Sequence, residues 1–91
     1  MAGEFETEER WYTIAVTVER TGVSTQRLRL LEREGLVLPR LSGRRREYSA
    51  ADLARIRKIR RLTEQLGVNL AGAEIILRLT EELEALRRQR G

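Results

Sequence analysis

The sequence predicts a mainly α-helical fold that carries one small β-hairpin. A helix begins at a capping residue, Ser24, and ends at Gly35, and a short basic segment with a turn at Gly43 follows it. Two later helices with periodic apolar residues are capped by Ser49 and Asn69. A basic helix, a turn and a basic hairpin, in this order, are the parts of a winged helix-turn-helix. We expect this fold, extended by a C-terminal dimerisation helix.

Chain length and residue types narrow the classes of function. The 91 residues suffice for one small domain with a modest core, which a second subunit can help to stabilise. Cysteine and histidine are absent, which excludes disulfides, thiolate and imidazole metal sites and imidazole catalysis, so no cofactor is expected. No apolar run approaches the ~20 residues of a membrane span, and the acidic N-terminus does not resemble a signal peptide. We expect a cytoplasmic protein.

The positive charge is concentrated in the middle of the chain. Residues 1–9 carry four acids and no base, residues 10–61 carry fourteen bases and five acids, and residues 62–91 carry four bases and five acids. All basic residues except Lys58 are arginines, whose planar fork binds phosphate and guanine with two hydrogen bonds. A compositional bias could explain arginine over lysine, but it does not explain the clustering. The pattern favours double-stranded DNA as the partner.

The chain divides into three predicted parts. Residues 1–10 are short, acidic and without an apolar face, which predicts a disordered tail. Residues 11–68 form the winged helix-turn-helix DNA-binding domain, which begins with the large apolar side chain of Trp11. Residues 69–91 form the C-terminal helix.

The segment between Tyr12 and Gly22 fits two structures. The alternation of Ile14, Val16 and Val18 is typical of a strand. The ending at Gly22 is instead typical of a helix C-terminus. We expect a short helix that starts near Ile14.

The helix from Ser24 to Glu34 is the predicted recognition helix. Leu28 and Leu31 lie on one side of it, and Leu30 lies nearer the basic side. Gln and Arg suit the edges of adenine and guanine, although an ordinary surface helix with a solvated basic face is the alternative. The predicted DNA contacts on this helix are Thr25, Gln26, Arg27, Arg29 and Arg33.

A basic hairpin follows this helix. Leu36–Leu38 is a candidate strand, residues 40–46 a loop that turns at Gly43, and Glu47–Tyr48 a second strand. The adjacent charges of Arg44–Arg46 repel one another, and a phosphate backbone or a narrow minor groove would relieve this repulsion. A solvated loop is the alternative, but the position directly after a basic helix favours DNA contact.

The third predicted helix has a capping box at Ser49 and Asp52. It is expected to run to Leu66 and to end at Gly67. Its apolar stripe comprises Leu53, Ile56, Ile59, Leu62 and Leu66.

The last helix begins after Asn69 and carries a heptad-like seam. Isolated helices below about 12–15 residues are marginal, so the seam could simply pack on the domain core. We expect both uses, with Leu70, Ile75 and Ile76 packing inward. The residues expected to contact a second subunit are Ile76, Leu79, Leu83 and Leu86.

No arrangement of residues indicates an enzyme. The carboxylates lie in the tail or among arginines, and the glycines are scattered rather than grouped in a phosphate loop. Glu32 and Glu34, which flank Arg33, are interpreted as solvated charge or as an orienting partner for an arginine.

Two long segments resemble the MerR-type winged helix-turn-helix regulators. They read TGVSTQRLRLLEREGLV and GRRREYSAADLARIRKIRRL, and the resemblance covers residues 12–86. The run GVNLAG at residues 67–72 is similar to the heat-shock repressor branch, HspR. The resemblance implies a dimer with antiparallel C-terminal helices that binds inverted repeats, and a DnaK-type chaperone as co-repressor. It also implies that the second helix lies in the major groove and the wing on the flanking backbone.

The resemblance assigns roles to three residues. Arg29 matches the Arg of the recognition helix, and Arg46 and Tyr48 match the wing residues that approach the DNA backbone. We therefore add Tyr48 to the predicted contacts.

Three positions depart from the family pattern. Aromatic residues are usual at Leu31 and frequent at Leu30, so a phosphate contact there is lost or taken over by an Arg. Glu47 stands where a neutral residue is common, which predicts a locally weaker wing.

Together these features predict a sequence-specific transcriptional regulator, a repressor of a stress or chaperone operon that binds as a dimer. An excisionase-like architectural DNA-binding protein is one alternative. A chaperone-binding adaptor with the same fold but no DNA role is the other.

Overall fold

A computed structural model of the chain describes residues 10–91 and is mainly helical with one small sheet. The predicted acidic tail therefore lies outside the described residues, apart from Arg10. The elements in chain order are β1 (Trp11–Tyr12), α1 (Ile14–Thr21), α2 (Thr25–Arg33), β2 (Arg40–Ser42), β3 (Arg45–Ser49), α3 (Ala50–Arg60), a π-helical turn (Arg61–Gln65) and α4 (Leu70–Arg90). This order confirms the predicted winged helix-turn-helix architecture.

The segment that fitted two structures is a helix, as expected. The hydroxyl of Thr13 accepts a hydrogen bond from the N–H of Val16, 3.3 Å away, and so caps the start of α1. At the other end, the N–H of Gly22 donates to the carbonyl of Val18 at 2.9 Å. Gly22 has φ 77°, a conformation that costs other residues roughly 1–2 kcal/mol. Glycine adopts it readily, and this allows the tight turn into α2.

Helix α2 has the predicted cap and the predicted buried side. The hydroxyl of Ser24 accepts from the N–H of Arg27 at 3.0 Å. Leu28 and Leu31 are buried, whereas Leu30 is half-buried. Because Leu31 lies in the core, this position has no phosphate contact to lose, and the departure from the aromatic pattern is a change of core packing.

The wing is a three-stranded antiparallel sheet in the order β1-β3-β2. Strand β3 pairs with β1 through Tyr48 opposite Tyr12, and with β2 through Arg46 opposite Leu41. The turn between β2 and β3 contains Gly43, whose φ is 64°. The wing arginines are therefore on and beside a strand rather than in a long loop.

The strand predicted at Leu36–Leu38 is wrong, because β2 begins only after Pro39. Leu36 and Val37 are buried, and the carbonyl of Leu36 accepts a hydrogen bond from Nε of Arg55 on α3. The apolar run is a core-filling linker between α2 and the wing, and its backbone bonds to a side chain rather than to a strand.

The outer face of the sheet holds a three-residue cluster. Oε1 of Glu47 lies 3.0 Å from the Arg40 guanidinium across the β2–β3 pair. The same guanidinium lies 3.7 Å from the centroid of the Trp11 ring. Opposite charges on facing strands stabilise a sheet. Glu47 is therefore paired within the wing, which argues against the local weakening expected from the family pattern.

Helix α3 starts with the predicted capping box. The N–H of Ser49 donates to Asp52 Oδ2 at 2.8 Å, and the N–H of Asp52 donates to Ser49 Oγ at 3.0 Å. Both bonds satisfy backbone donors that the first helical turn leaves without partners.

The α-helical part of α3 ends at Arg60 and not at Leu66 as expected. A π-helical turn follows, in which the N–H of Leu66 donates to the carbonyl of Arg61 at 3.1 Å. The Thr63 hydroxyl donates to the carbonyl of Ile59 at 2.8 Å, a side-chain bond that competes with the regular backbone pattern. Leu66 is largely exposed, so it does not belong to a buried stripe.

Helix α4 begins at the predicted cap, since Oδ1 of Asn69 accepts from the N–H of Gly72 at 2.7 Å. Its buried residues are Ala73 and Leu77. Ile75, expected to pack inward, is 48% exposed. It lies roughly 200° around the helix from Ala73, whereas Leu77 follows Ala73 by four residues and shares its side.

The chain consists of two compact units, one up to Arg57 and one from Lys58 to Gly91. Among residues 10–91, no helix is both long and apolar enough to cross a bilayer. The buried apolar residues of the first unit are Val23, Leu28, Leu31, Leu36, Val37, Tyr48, Leu53 and Ile56, and those of the second are Ile59, Ala73 and Leu77.

Candidate nucleic-acid interface

The polar residues of α2 lie opposite its buried leucines. Thr25 and Gln26 are exposed in the first turn, and Arg27 is half-buried. Arg29 and Arg33 are exposed and share one side of the helix, because they are four residues apart. The helix therefore presents hydrogen-bonding side chains from its N-terminal turns, the part that enters the major groove in helix-turn-helix proteins.

Arg29 of α2 lines an open groove together with the wing. The wing contributes three consecutive cations and one exposed apolar side chain, and the start of α1 closes the groove. The lining residues are Thr13, Ile14, Arg29, Leu41, Arg44, Arg45 and Arg46.

A neighbouring hollow is lined by Arg29, Glu32, Arg33 and Arg46. Arg29 and Arg46 thus belong to both depressions. The folded chain brings recognition helix and wing onto one continuous basic surface, although the two arginines are 17 positions apart in the sequence. We call this surface, from Arg29 and Arg33 to Arg44–Arg46, the basic groove.

Most cations of the basic groove lack a neutralising partner. Within residues 10–91, the side chains of Arg29, Arg33, Arg44 and Arg45 make no ion pair or hydrogen bond, in contrast to Arg40 and Arg46. Concentrated unpaired charge destabilises a compact fold by self-repulsion, and an anionic ligand removes that repulsion. The surface therefore fits a polyanion.

Glu32 connects the recognition helix to the wing. Its Oε2 accepts a hydrogen bond from the Tyr48 hydroxyl, and its Oε1 lies 3.4 Å from Nε of Arg46. Of the two interpretations of this carboxylate, the structure shows the orienting partner. The arginine it pairs with belongs to the wing and is not the adjacent Arg33.

Tyr48 lies in the core rather than at the groove surface. Its side chain is fully buried, and its hydroxyl donates to Glu32. Burial raises the pKa of the Tyr48 hydroxyl above its usual range, and the hydrogen bond to the Glu32 carboxylate raises that pKa further. The hydroxyl therefore stays a neutral donor, and in this conformation it offers no contact to a phosphate, which corrects its prediction as a DNA contact.

Sequence reasoning missed two residues of this surface. Leu41 is 71% exposed within the groove, whereas the sequence indicates only that it belongs to a basic loop. Glu32 was noticed, but its bonds to Arg46 and Tyr48 span 14 and 16 positions, which no local pattern encodes. The one available signal was the alternation along β3, which places Arg46 and Tyr48 on the same face.

The second unit presents an apolar surface instead of a charged one. The four residues predicted for dimerisation are all exposed, by 39% for Ile76 and by 48–57% for the others. Ile75 joins them, and we call these five side chains the outer stripe of α4. Its members are Ile75, Ile76, Leu79, Leu83 and Leu86.

Comparison with known proteins agrees with this geometry. The sequence profile described as "MerR HTH family regulatory protein" matches residues 12–80. A protein of Streptomyces coelicolor with the provisional name heat shock protein HspR is 40% identical over 76 residues. That alignment covers 82% of this chain and 50% of the relative, so the chain spans about half the length of the curated relative that it matches.

The profile match includes both helices of the helix-turn-helix, the wing strands β2 and β3 and the first half of α4. Every residue of the basic groove lies within it. The match confirms the resemblance found in the sequence, and the chain belongs to the MerR helix-turn-helix family of regulatory proteins, which bind DNA.

Proposed function

We propose that this DNA-binding regulator is a repressor of a stress or chaperone operon, and that it binds an inverted-repeat operator as a dimer. The observation that carries the proposal is the basic groove. Recognition helix and wing meet there, and four of the five arginines, Arg29, Arg33, Arg44 and Arg45, make no ion pair within residues 10–91.

The N-terminal turns of α2 read the bases in this proposal. Thr25 and Gln26 are exposed at the capped end of the helix, with Arg27 and Arg29 behind them. Gln forms two hydrogen bonds with adenine and Arg forms two with guanine in the major groove. These four residues therefore set which half-site is preferred.

The wing holds the sugar-phosphate backbone. Arg44 and Arg45 are exposed and unpaired among the described residues, and Arg46 is held by Glu32. Contacts between arginine and phosphate release counterions, so they give affinity without sequence preference and make binding sensitive to salt.

The outer stripe of α4 joins two copies. Each copy presents one basic groove, and a two-fold symmetric dimer matches an operator with two-fold symmetry. The stripe supports this because it is apolar, continuous along one side of α4 and not covered by residues 10–91.

The regulated operon is inferred from the relative, whose name refers to heat shock. A repressor acts here by occupying its operator, in the cytoplasm, and a DnaK-type chaperone is proposed as the co-repressor. The sequence run GVNLAG, similar to the heat-shock repressor branch, supports this assignment.

Selection of binding sites from a random duplex pool tests the proposal directly. We expect an inverted repeat to be enriched, because two symmetry-related grooves select two related half-sites. Enrichment of a single half-site would contradict the dimer. Bending of DNA without any enriched sequence would instead identify an architectural protein, and failure to shift any duplex at low salt would identify an adaptor.

A further inference from the structure

The basic groove contains one negative charge where an anion is expected to bind. Glu32 lines the same hollow as Arg29, Arg33 and Arg46. A carboxylate at this place repels phosphate and lowers the attraction of the groove for any nucleic acid. Affinity alone therefore does not explain its presence.

The contacts of Glu32 divide its two oxygens between two residues of β3. Oε2 accepts from the Tyr48 hydroxyl and Oε1 faces Nε of Arg46 at 3.4 Å. The Glu32 side chain is only 12% exposed, whereas that of Arg46 is 44% exposed. The carboxylate is shielded from water by the protein, while its cationic partner still reaches the surface.

The two partners lie on the same face of β3, because they are two residues apart in a strand. Tyr48 is fully buried and gives the carboxylate a fixed point in the core. Arg46 is one step closer to the wing tip and also faces Leu41 on β2. A single side chain on α2 thereby contacts the wing strand at two positions, one in the core and one near the surface.

We propose that Glu32 is a positioning residue that fixes Arg46 of the wing relative to Arg29 of the recognition helix and so sets the discrimination between operator and other DNA. This inference rests on the proposed function, because it concerns the same groove. With the spacing fixed, only a duplex whose phosphate path and base edges match both elements engages them together.

The charge of Glu32 acts in the same direction as its position. It weakens binding that depends only on the electrostatic attraction of phosphates, which is the main part of nonspecific binding. Removal of the charge thus has opposite effects on two affinities. Binding to the operator becomes weaker, because Arg46 is no longer held in position. Binding to unrelated duplex becomes stronger, because a charge that repels phosphate has been removed.

The test compares Glu32→Gln with the wild-type chain on two duplexes of equal length, the selected operator and a scrambled sequence. We expect Kd for the operator to rise about tenfold, equivalent to the loss of one charge-assisted contact. We expect Kd for the scrambled duplex to stay the same or to fall. A purely structural role would raise both values together.

Glu34→Gln is the matched control, because it removes the same charge from an exposed residue next to α2. It should change both Kd values by the same small factor. The discrimination ratio, which is Kd for the scrambled duplex divided by Kd for the operator, should therefore stay unchanged. Glu32→Asp keeps the charge and shortens the reach, so it should lower the ratio without improving nonspecific binding.

Tyr48→Phe removes the bond to Oε2 alone and should lower the ratio less than Glu32→Gln. Circular dichroism verifies the fold of each variant, and Glu32→Asp and Tyr48→Phe decide the question if Glu32→Gln does not fold. If the wild-type chain prefers the operator and these variants keep the same ratio of the scrambled-duplex Kd to the operator Kd, the positioning role is wrong but the proposed function stands. A wild-type chain without any preference overturns the proposed function and this inference with it.

Discussion

The basic groove and the outer stripe of α4 expose opposite kinds of side chain. In the groove, every arginine except Arg46 carries charge that no described residue neutralises. On the stripe, leucines and isoleucines remain in contact with water although the same helix buries Ala73 and Leu77 on another side. The difference teaches that the two surfaces suit partners of different chemistry, a polyanion at the groove and an apolar face at the stripe.

Salt separates the two surfaces experimentally. Contacts with phosphate weaken as ionic strength rises, since released counterions return to the DNA. Burial of apolar side chains does not depend on counterions, and strongly hydrated salts even strengthen it. Mutations in one region should therefore change one property and leave the other intact, and each of the following predictions uses this separation.

The largest effect is expected on the stripe. Replacement of Leu79 and Leu83 by Ala should weaken self-association by about 4 kcal/mol. Each side chain is about half exposed in one chain, so its remaining burial contributes about 1 kcal/mol, and a symmetric dimer contains four such leucines. Sedimentation equilibrium measures the dissociation constant. Leu66→Ala, at an exposed leucine outside α4, is the control. An unchanged dissociation constant would show that the stripe is not the dimer interface.

Next in size is the loss of the three wing arginines. Arg44, Arg45 and Arg46 changed together to Ala should weaken binding to every duplex by about 3 kcal/mol, or roughly a hundredfold, at about 1 kcal/mol per contact. The slope of log K against log salt should fall by up to about three, since each phosphate contact contributes about 0.9. Fluorescence anisotropy titrations at several salt concentrations measure both quantities.

A matched triple variant controls for net charge. Arg87, Arg88 and Arg90 at the end of α4 changed to Ala remove the same three charges from the other unit. This variant should keep most of the salt slope. If the two triple variants have equal slopes of log K against log salt, the wing arginines do not contact the DNA backbone.

Gln26→Ala should have a smaller and base-specific effect. The loss of a two-bond contact with adenine costs about 1–3 kcal/mol at one operator position and leaves the salt slope unchanged. Competition between single-base operator variants reveals the position. Arg45→Ala is the contrasting variant, as it should weaken all duplexes alike and lower the slope.

The smallest effect concerns Tyr48 at alkaline pH. Because its pKa is raised in the folded state, its contribution to the free energy of unfolding is complete below the ordinary tyrosine pKa of about 10 and declines as pH rises above it. The decline should reach about 1.4 kcal/mol by pH 11. Urea unfolding at pH 9, 10 and 11 measures it, and Tyr48→Phe should lack this component. An equal decline in Tyr48→Phe would assign it to other groups.

Local chemistry explains which elements the sequence could predict. The caps at Ser24, Asn69 and the Ser49–Asp52 pair were confirmed, because a capping bond joins residues that are three positions apart. The turn at Gly22 was predictable for the same reason. The recognition helix, the wing and the last helix could be predicted from these caps and turns and from the regular spacing of apolar residues.

Contacts over longer sequence distances explain what the sequence could not show. The apolar run at Leu36 suited a strand equally well, and only its bond from Arg55 on α3 shows that it is a linker. Tyr48 carried a family role at the surface, while its ring fills the core of this chain. The π-helical turn after Arg60 had no recognisable signal in the sequence, because a threonine such as Thr63 also occurs in ordinary helices.

The cation–π pair on the outer face of the sheet has a practical consequence. Trp11 is the sole tryptophan of the chain, and its ring lies against Arg40, the first residue of the wing strand β2. Indole emission responds to a cation at this distance and to the arrival of water. The protein therefore contains its own optical reporter of wing movement, which can be followed in rapid-mixing experiments with unlabelled DNA.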